Sequence, residues 1–264
     1  MYGEQLAFQA RTQIEQAENG RCTESCLDIN WLPSETAAII CDMWDHHWCT
    51  GAETRATELA PRMNELVRTL RTAGVRIIHA PSDTMPFYAD HPARLAFLAL
   101  ACHQEKSAEP LPVVRNPREG ILPVDDSDGG CDCQPHCPEH RAWTRQMASL
   151  TIDDEDWITD SADVFYALNA CGIRNVLVMG VHTNMCILGR PFAIRELVRR
   201  GLNVVLVRDL TDSMYNPAMS PYVDHFTGTD LIIEHIEKYW CPTITSDQII
   251  GGHAFRFRGD KRQA

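Results

Sequence analysis

Asn175-Val-Leu-Val-Met179 leads directly into Gly180-Val181-His182-Thr183-Asn184-Met185-Cys186. An apolar run closed by a glycine reads as a buried parallel strand. A polar turn follows, then a predicted helix over Ile187–Arg200. The stretch therefore sets one thiol where the carboxyl end of a strand meets a helix start, the edge at which open α/β sheets bind ligands. A helix start offers free N–H groups and a positive partial charge, so a thiolate there is expected to have a depressed pKa. Cys186 is the candidate nucleophile.

Working outward, the same alternation recurs. Thr36-Ala-Ala-Ile-Ile-Cys-Asp42 is a short apolar run ending in an acid and reads as the first strand. Leu59, Met63, Leu66, Val67 and Leu70 recur at helical spacing within Glu53–Ala73, and Gly74 stops the helix. Val75-Arg-Ile-Ile-His-Ala80 is a second strand. Ser161–Cys171 reads as a helix, Asn203-Val-Val-Leu-Val207 as a strand, 221–238 as a helix and Thr243-Ile-Thr245 as a last strand. Repeated strand–helix alternation predicts a doubly wound parallel sheet in one domain spanning 1–264. Residues 4–19 read as a surface helix or arm. Residues 81–145 are rich in Pro, Gly, Asp and Cys and form a long irregular insert with one helical piece near 92–102.

The composition narrows the function. A formal charge of -12 over 264 residues argues against a nucleic-acid partner. No run is long or apolar enough to span a bilayer, and the start lacks the charged-then-apolar order of a signal peptide, so the expected compartment is the cytoplasm. Eleven cysteines, an odd number in a chain of this size, fit free thiols or a metal site better than a disulfide framework.

Asp42 ends the first strand, and Cys186 follows a later one. In a doubly wound sheet both reach the carboxyl edge, where a carboxylate can take a thiol's proton and return it to a leaving amine. An acid in that place also serves simply as a helix cap, and buried cysteines are usually inert. The apolar strand ending at Asp42 and Gly180-x-x-Thr183-x-x-Cys186 resemble the isochorismatase-like cysteine hydrolases, a group that includes nicotinamidases and N-carbamoyl amidases. Gly201-Leu-Asn-Val-Val-Leu-Val-Arg-Asp209 is similar to the strand that follows the nucleophile helix in that family, and the match spans roughly 36–80 and 157–246. The resemblance implies a three-layer α/β/α fold with a mainly parallel sheet of about six strands. It implies hydrolysis of a small amide, ureido or related C–N bond through a covalent acyl-cysteine. In that reading Cys186 is the nucleophile, Asp42 the general base and acid, and the backbone N–H groups of His182 and Cys186 the oxyanion hole. A cis Val181–His182 peptide, a homo-oligomer, a small-molecule substrate and no required cofactor are implied as well.

The chain departs from the family in lacking the lysine expected between the middle strand and the helix after it. Only Lys106, Lys238 and Lys261 occur, and 146–172 carries Asp153, Asp154, Glu155, Asp156, Asp160 and Asp163 instead. Arg115, Arg118, Arg145 and Lys106, all in the insert, are the candidate replacement cations. A non-catalytic relative that binds a small molecule or a partner protein is the alternative this departure motivates. Arg190-Pro191 breaks or kinks the helix after Cys186, which would turn Arg190 toward a substrate carboxylate or leave it on the surface.

Further candidates surround this edge. Trp44 and His47 belong to Trp44-Asp-His-His-Trp-Cys49 and read as a substrate wall or as a packed loop; Phe87 and Tyr88 are candidates to close over the substrate. Asp83 and His91 follow the second strand without the Asp-x-His of the family's metal site, so no catalytic metal is expected. Cys131-Asp-Cys133-Gln-Pro-His-Cys137-Pro-Glu-His140 offers three thiols and an imidazole to a structural zinc, with a disulfide or free thiols as alternatives and metal-assisted hydrolysis as a weaker functional reading. Asp125–Gly130 reads as a turn run, with calcium as its alternative.

Overall fold

The computed structural model describes residues 5–16, 22–105 and 113–262. Its centre is built from strands with no exposed residue: β3 (Thr36–Cys41) and β6 (Asn175–Val181) are buried throughout, which is why their sequences are continuous apolar runs rather than alternating ones. β4 (Arg76–Ala80) and the short β5 (Trp157–Ile158) extend the sheet on one side of β3; β7 (Asn203–Asp212) and β8 (Thr243–Ile244) extend it beyond β6. These six strands are parallel. Beyond β8 lies an antiparallel hairpin of β1 (Leu6–Glu15) and β2 (Cys22–Trp31). The sheet order is β2-β1-β8-β7-β6-β3-β4-β5.

The sheet thus has eight strands rather than about six, and the described part of the expected N-terminal helix or arm is β1. The reason is its inward face. Phe8 and Ala10, two residues apart, are buried, and Phe8 meets Trp31 of β2 edge-to-face at 5.3 Å. Most other side chains of the pair are exposed or half-buried, so the two-residue period is faint.

Side chains alternate between two cores. Ile39, Val178 and Leu206 face α2 (Pro92–Glu105), α3 (Val164–Ala170), α5 (Ile194–Arg199) and α6 (His225–Tyr239). Ile40, Leu177 and Val205 face α1 (Thr50–Ala73), with α7 (Asp247–Ile250) at its margin. Helices on both faces of a mainly parallel sheet make a three-layer α/β/α fold. The predicted helix over 187–200 is two helices, α4 (Cys186–Gly189) and α5, parted at Arg190-Pro191. No helix among the described residues is long and apolar enough to cross a membrane.

Strand order explains the location of the site. From β3 the chain winds outward through β4 and β5, then returns to β6 on the other side of β3 and winds away through β7 and β8. The carboxyl ends of β3 and β6 therefore flank the topological switch point, where an α/β sheet opens a crevice. Asp42 follows β3 and Cys186 opens α4 after β6. Gly180 lets the two strands meet closely there. It pairs with Cys41, its φ is +117°, and a Cβ on it would stand 2.1 Å from the Cys41 carbonyl oxygen.

At the opposite flank, α1, β4 and the approach to β5 are joined by a buried carboxylate. Asp156 accepts from Arg71 Nη2 at 2.6 Å and from the Asp153 N–H at 2.8 Å, and the ring of the fully buried His79 lies 3.1 Å away. Burial alone would raise the Asp156 pKa, but hydrogen bonds from His79 and Arg71 outweigh it and set it at about 2.

Two outcomes follow from these contacts. Gly180→Ala should destabilise the fold by about 3 kcal/mol or more, because both its backbone angle and its space exclude a side chain; an unchanged denaturant midpoint would contradict the close approach. The Asp156 contribution is fully present above the unfolded carboxyl pKa near 4 and is lost as pH falls toward about 2. Urea titrations at pH 5 and pH 3 should show the wild type losing about 1 kcal/mol more than Asp156→Asn, and equal losses would show that Asp156 is not the coupled group.

Candidate active site at the sheet switch point

Asp42 is fully buried and adopts φ +49°, a left-handed turn that aspartate tolerates better than most residues. The turn folds its carboxylate back over the sheet edge. Oδ1 accepts the Ser82 N–H at 2.7 Å from the turn after β4, and Oδ2 accepts Arg190 Nε at 3.0 Å. The Cys186 thiol lies near the same carboxylate, and each shifts the other's pKa. Two side chains 144 residues apart in sequence thus come together at the sheet rim.

The loop that presents Cys186 is fixed residue by residue. The Val181–His182 peptide is cis. Thr183 donates its N–H to the Asp212 carbonyl at 2.9 Å, and its hydroxyl shares a 2.8 Å hydrogen bond with Thr211. Asn184 accepts the Met214 N–H through Oδ1, and its Nδ2 donates to the Met214 carbonyl and to Asp126. The His182 carbonyl accepts from Met185 and Ile187. The glycine, threonine and cysteine of the motif therefore have separate tasks: close approach of the strands, anchorage to β7, and the thiol.

Arg190 is the cation of the site. The residue before a proline avoids helical angles, and Arg190 accordingly has ψ 153°. That break turns its guanidinium back toward Asp42, where it also reaches Asp83 at 3.4 Å and lies 6.0 Å from the centre of the Trp44 ring. β5 is followed by Thr159, Asp160 and Ser161, with no lysine, and Asp160 accepts the Asp83 N–H. Two of the other candidate cations lie elsewhere. Arg145 pairs loosely with Asp45 and covers Phe87, and the Arg115 N–H donates to the Arg199 carbonyl. Lys106 lies outside the described residues.

The electrostatics reverse the expected depressed thiol. Burial, and next the Asp42 carboxylate, push the Cys186 thiol up to about 12, against the opposing pull of Arg190 and the His182 N–H. α4 is a single turn, too short for a helix-end field to compete. Burial also raises the Asp42 pKa, against Arg190, the thiol and Ser82. Arg190 itself is held more firmly protonated by the Asp42 carboxylate. Burial and the neighbouring His47 push the His182 imidazole down to about 3, leaving it neutral.

An aromatic wall stands beside this group. Trp44 stacks on Trp143 at 4.4 Å and donates its Nε1 to the Ser82 carbonyl. The His47 ring meets His182 edge-to-face at 4.9 Å and stacks near Trp48 at 5.4 Å. Trp143 lies in the irregular insert, where no periodicity singles it out. Tyr88 is not free to close over a ligand: it is buried, and its hydroxyl accepts the Gln146 N–H at 2.7 Å. Phe87 is 55% exposed beneath the Arg145 guanidinium. Asp83 faces Arg190, and His91 Nδ1 accepts the Ala93 N–H, so they do not form a metal pair. In the turn run Asp126 binds Asn184 and Asp128 binds Asn216. His140 is exposed, with Nδ1 against the Pro138 carbonyl, away from the thiols.

No protein-family model and no curated protein matches the sequence. Solved structures do match the fold. A cysteine hydrolase from Pseudomonas syringae pv. phaseolicola 1448A aligns over 83% of this chain and 92% of its own, with a TM-score of 0.51 and 17% identity. An isochorismatase from Pseudomonas putida KT2440 aligns over 82% and 91%, with a TM-score of 0.48 and 11% identity. With its mainly parallel sheet, its flanking helix layers and the first of these alignments, the chain has the α/β/α fold of the Pseudomonas syringae cysteine hydrolase.

Proposed function

We propose that the protein is a cysteine hydrolase that cleaves a C–N bond of a small amide or ureido compound. The observation that carries this reading is the convergence of the Cys186 thiol and the Arg190 guanidinium on one buried carboxylate, Asp42. Burial and the Asp42 carboxylate push the thiol up to about 12, which favours its protonated form at neutral pH. In this reading the thiol is therefore deprotonated by a base at the moment of reaction. Asp42 takes the proton as the sulfur bonds to the carbonyl carbon. The N–H groups of His182 and Cys186 receive the negative charge that develops on the oxygen. The C–N bond then breaks, Asp42 hands its proton to the leaving nitrogen, and an acyl-cysteine remains. Water, deprotonated by Asp42, adds to the acyl carbon and releases the acid and the thiol.

Arg190 fills the electrostatic place of the absent lysine by keeping Asp42 ionised. Since two carboxylates already hold it, we assign it this part rather than the anchoring of a substrate carboxylate. Trp44, Trp143 and His47 form the proposed substrate wall, flat surfaces suited to a small planar group. The non-catalytic alternative rested on the missing lysine, and the Arg190 pairing with Asp42 weighs against it. A homo-oligomer is proposed on the family resemblance alone.

Release of ammonia or amine from a panel of small amides and ureides tests the assignment. Cys186→Ala should abolish turnover while circular dichroism stays unchanged, and a fully active variant would exclude the nucleophile. Asp42→Asn should lower kcat by on the order of 10²–10⁴. The pH profile of kcat/KM should fall on acidification through a carboxyl pKa above the usual value near 4, since Asp42 must be ionised to act. In Arg190→Met the acid limb should move to higher pH, because the buried carboxylate loses its counter-charge, and Arg190→Lys should restore part of the shift. An acid limb at the same pH in all three proteins would remove Arg190 from this role.

A further inference from the structure

We propose that Cys49, Cys131, Cys133 and Cys137 hold one structural zinc ion in a four-thiolate site that fastens the 131–137 loop to the start of α1. The four sulfurs all lie within 4.8 Å of one another. A tetrahedral zinc with Zn–S bonds of about 2.3 Å needs sulfurs about 3.8 Å apart. The Cys49 and Cys133 sulfurs are 3.8 Å apart. That separation is far beyond the ~2.05 Å of a disulfide.

The surroundings suit thiolates. The Gly51 N–H donates to the Cys133 sulfur at 3.2 Å, and the Thr50 hydroxyl lies 3.4 Å from the Cys133 sulfur and 3.6 Å from that of Cys137. Such donors offset charge on metal-bound sulfur and orient it. The loop packs closely on Gly51, where a Cβ would come within 2.8 Å of Asp132 Oδ1 and 3.2 Å of the Cys133 sulfur. Asp132, between two of the ligands, lies 3.9 Å from the Cys49 sulfur and is neutralised by Arg55 through contacts of 2.7 and 3.3 Å. Cys49 and Cys131 are fully buried beside Met214, so the ion would be closed off from solvent on that side.

All-thiolate ligation selects zinc over the hard cations. Four protein ligands complete its tetrahedron and leave no position for a substrate, so the site is structural. Each thiol gives up its proton on ligation. The loop gains an anchor that its own sequence does not supply, since 113–156 contains no helix and no strand. The anchorage extends to the active site. Arg55, held by Asp132, also binds Asp212 at 2.8 Å, and the Asp212 carbonyl accepts the Thr183 N–H.

Elemental analysis of the purified full-length protein tests the proposal. About one zinc per chain should survive gel filtration and fall to a small fraction in Cys133→Ser and in Cys137→Ser, but not in Cys26→Ser, a change on the exposed hairpin. Circular dichroism separates loss of metal from loss of fold. Cobalt(II) exchanged into the wild type should show sulfur-to-cobalt charge-transfer bands and the visible bands of a tetrahedral site. Metal-free wild-type protein, disulfides among these four residues by mass spectrometry, iron in place of zinc, or zinc retained in both serine variants would each overturn the assignment.

Discussion

A carboxylate with no exposed surface must be paired, and the pairing of Asp42 is the constraint on which the site depends. Its partners come from three places: the N–H of Ser82 after β4, the thiol of Cys186, and the guanidinium of Arg190 past the break in the helix. Each demands a particular backbone geometry. At an effective dielectric near 20, unit charges at this separation attract by about 4 kcal/mol, comparable to the several kcal/mol that burial costs an ion. The pair therefore adds little net stability. Its consequence is chemical, in that Arg190 opposes the burial that raises the Asp42 pKa.

The same interaction accounts for an arrangement that looks unfavourable in isolation. A thiol raised to about 12 is a poor nucleophile by itself. Beside a carboxylate that accepts its proton, it need not ionise in advance. In the proposed mechanism, the carboxylate that raises the thiol pKa is also the one that deprotonates it during attack. Arg190 limits this effect by competing for the carboxylate, and its position is fixed by Pro191 rather than by its own flexible side chain.

Much of this was legible in the sequence. The buried strands 36–41 and 175–181 are apolar throughout, so their existence, their parallel pairing and the placement of Asp42 and Cys186 at one edge follow from pattern and topology. Arg190-Pro191 carried its own signal, since the residue before a proline is biased away from helical angles. The β1–β2 hairpin was hidden because few of its residues alternate in burial. The direction of the thiol shift was misread because helix continuity was assumed where only one turn forms, and because burial and a neighbouring charge act through space. Cys49 lies 82 residues before Cys131, so only the fold brings the fourth thiol to the cluster, in place of the nearby His140.

The central claim is that Asp42, and not the intrinsic ionisation of the thiol, activates Cys186. The most direct measurement is the pH dependence of Cys186 alkylation by iodoacetamide, mapped by peptide mass spectrometry in the wild type and in Asp42→Asn. The account predicts a wild-type rate that rises with ionisation of a carboxyl group and levels off below the range of ordinary thiols, and an Asp42→Asn rate that lacks this carboxyl limb and follows the ionisation of the thiol alone. Alkylation that follows a single thiol titration near the ordinary cysteine pKa of about 8.5, alike in both proteins, would contradict it.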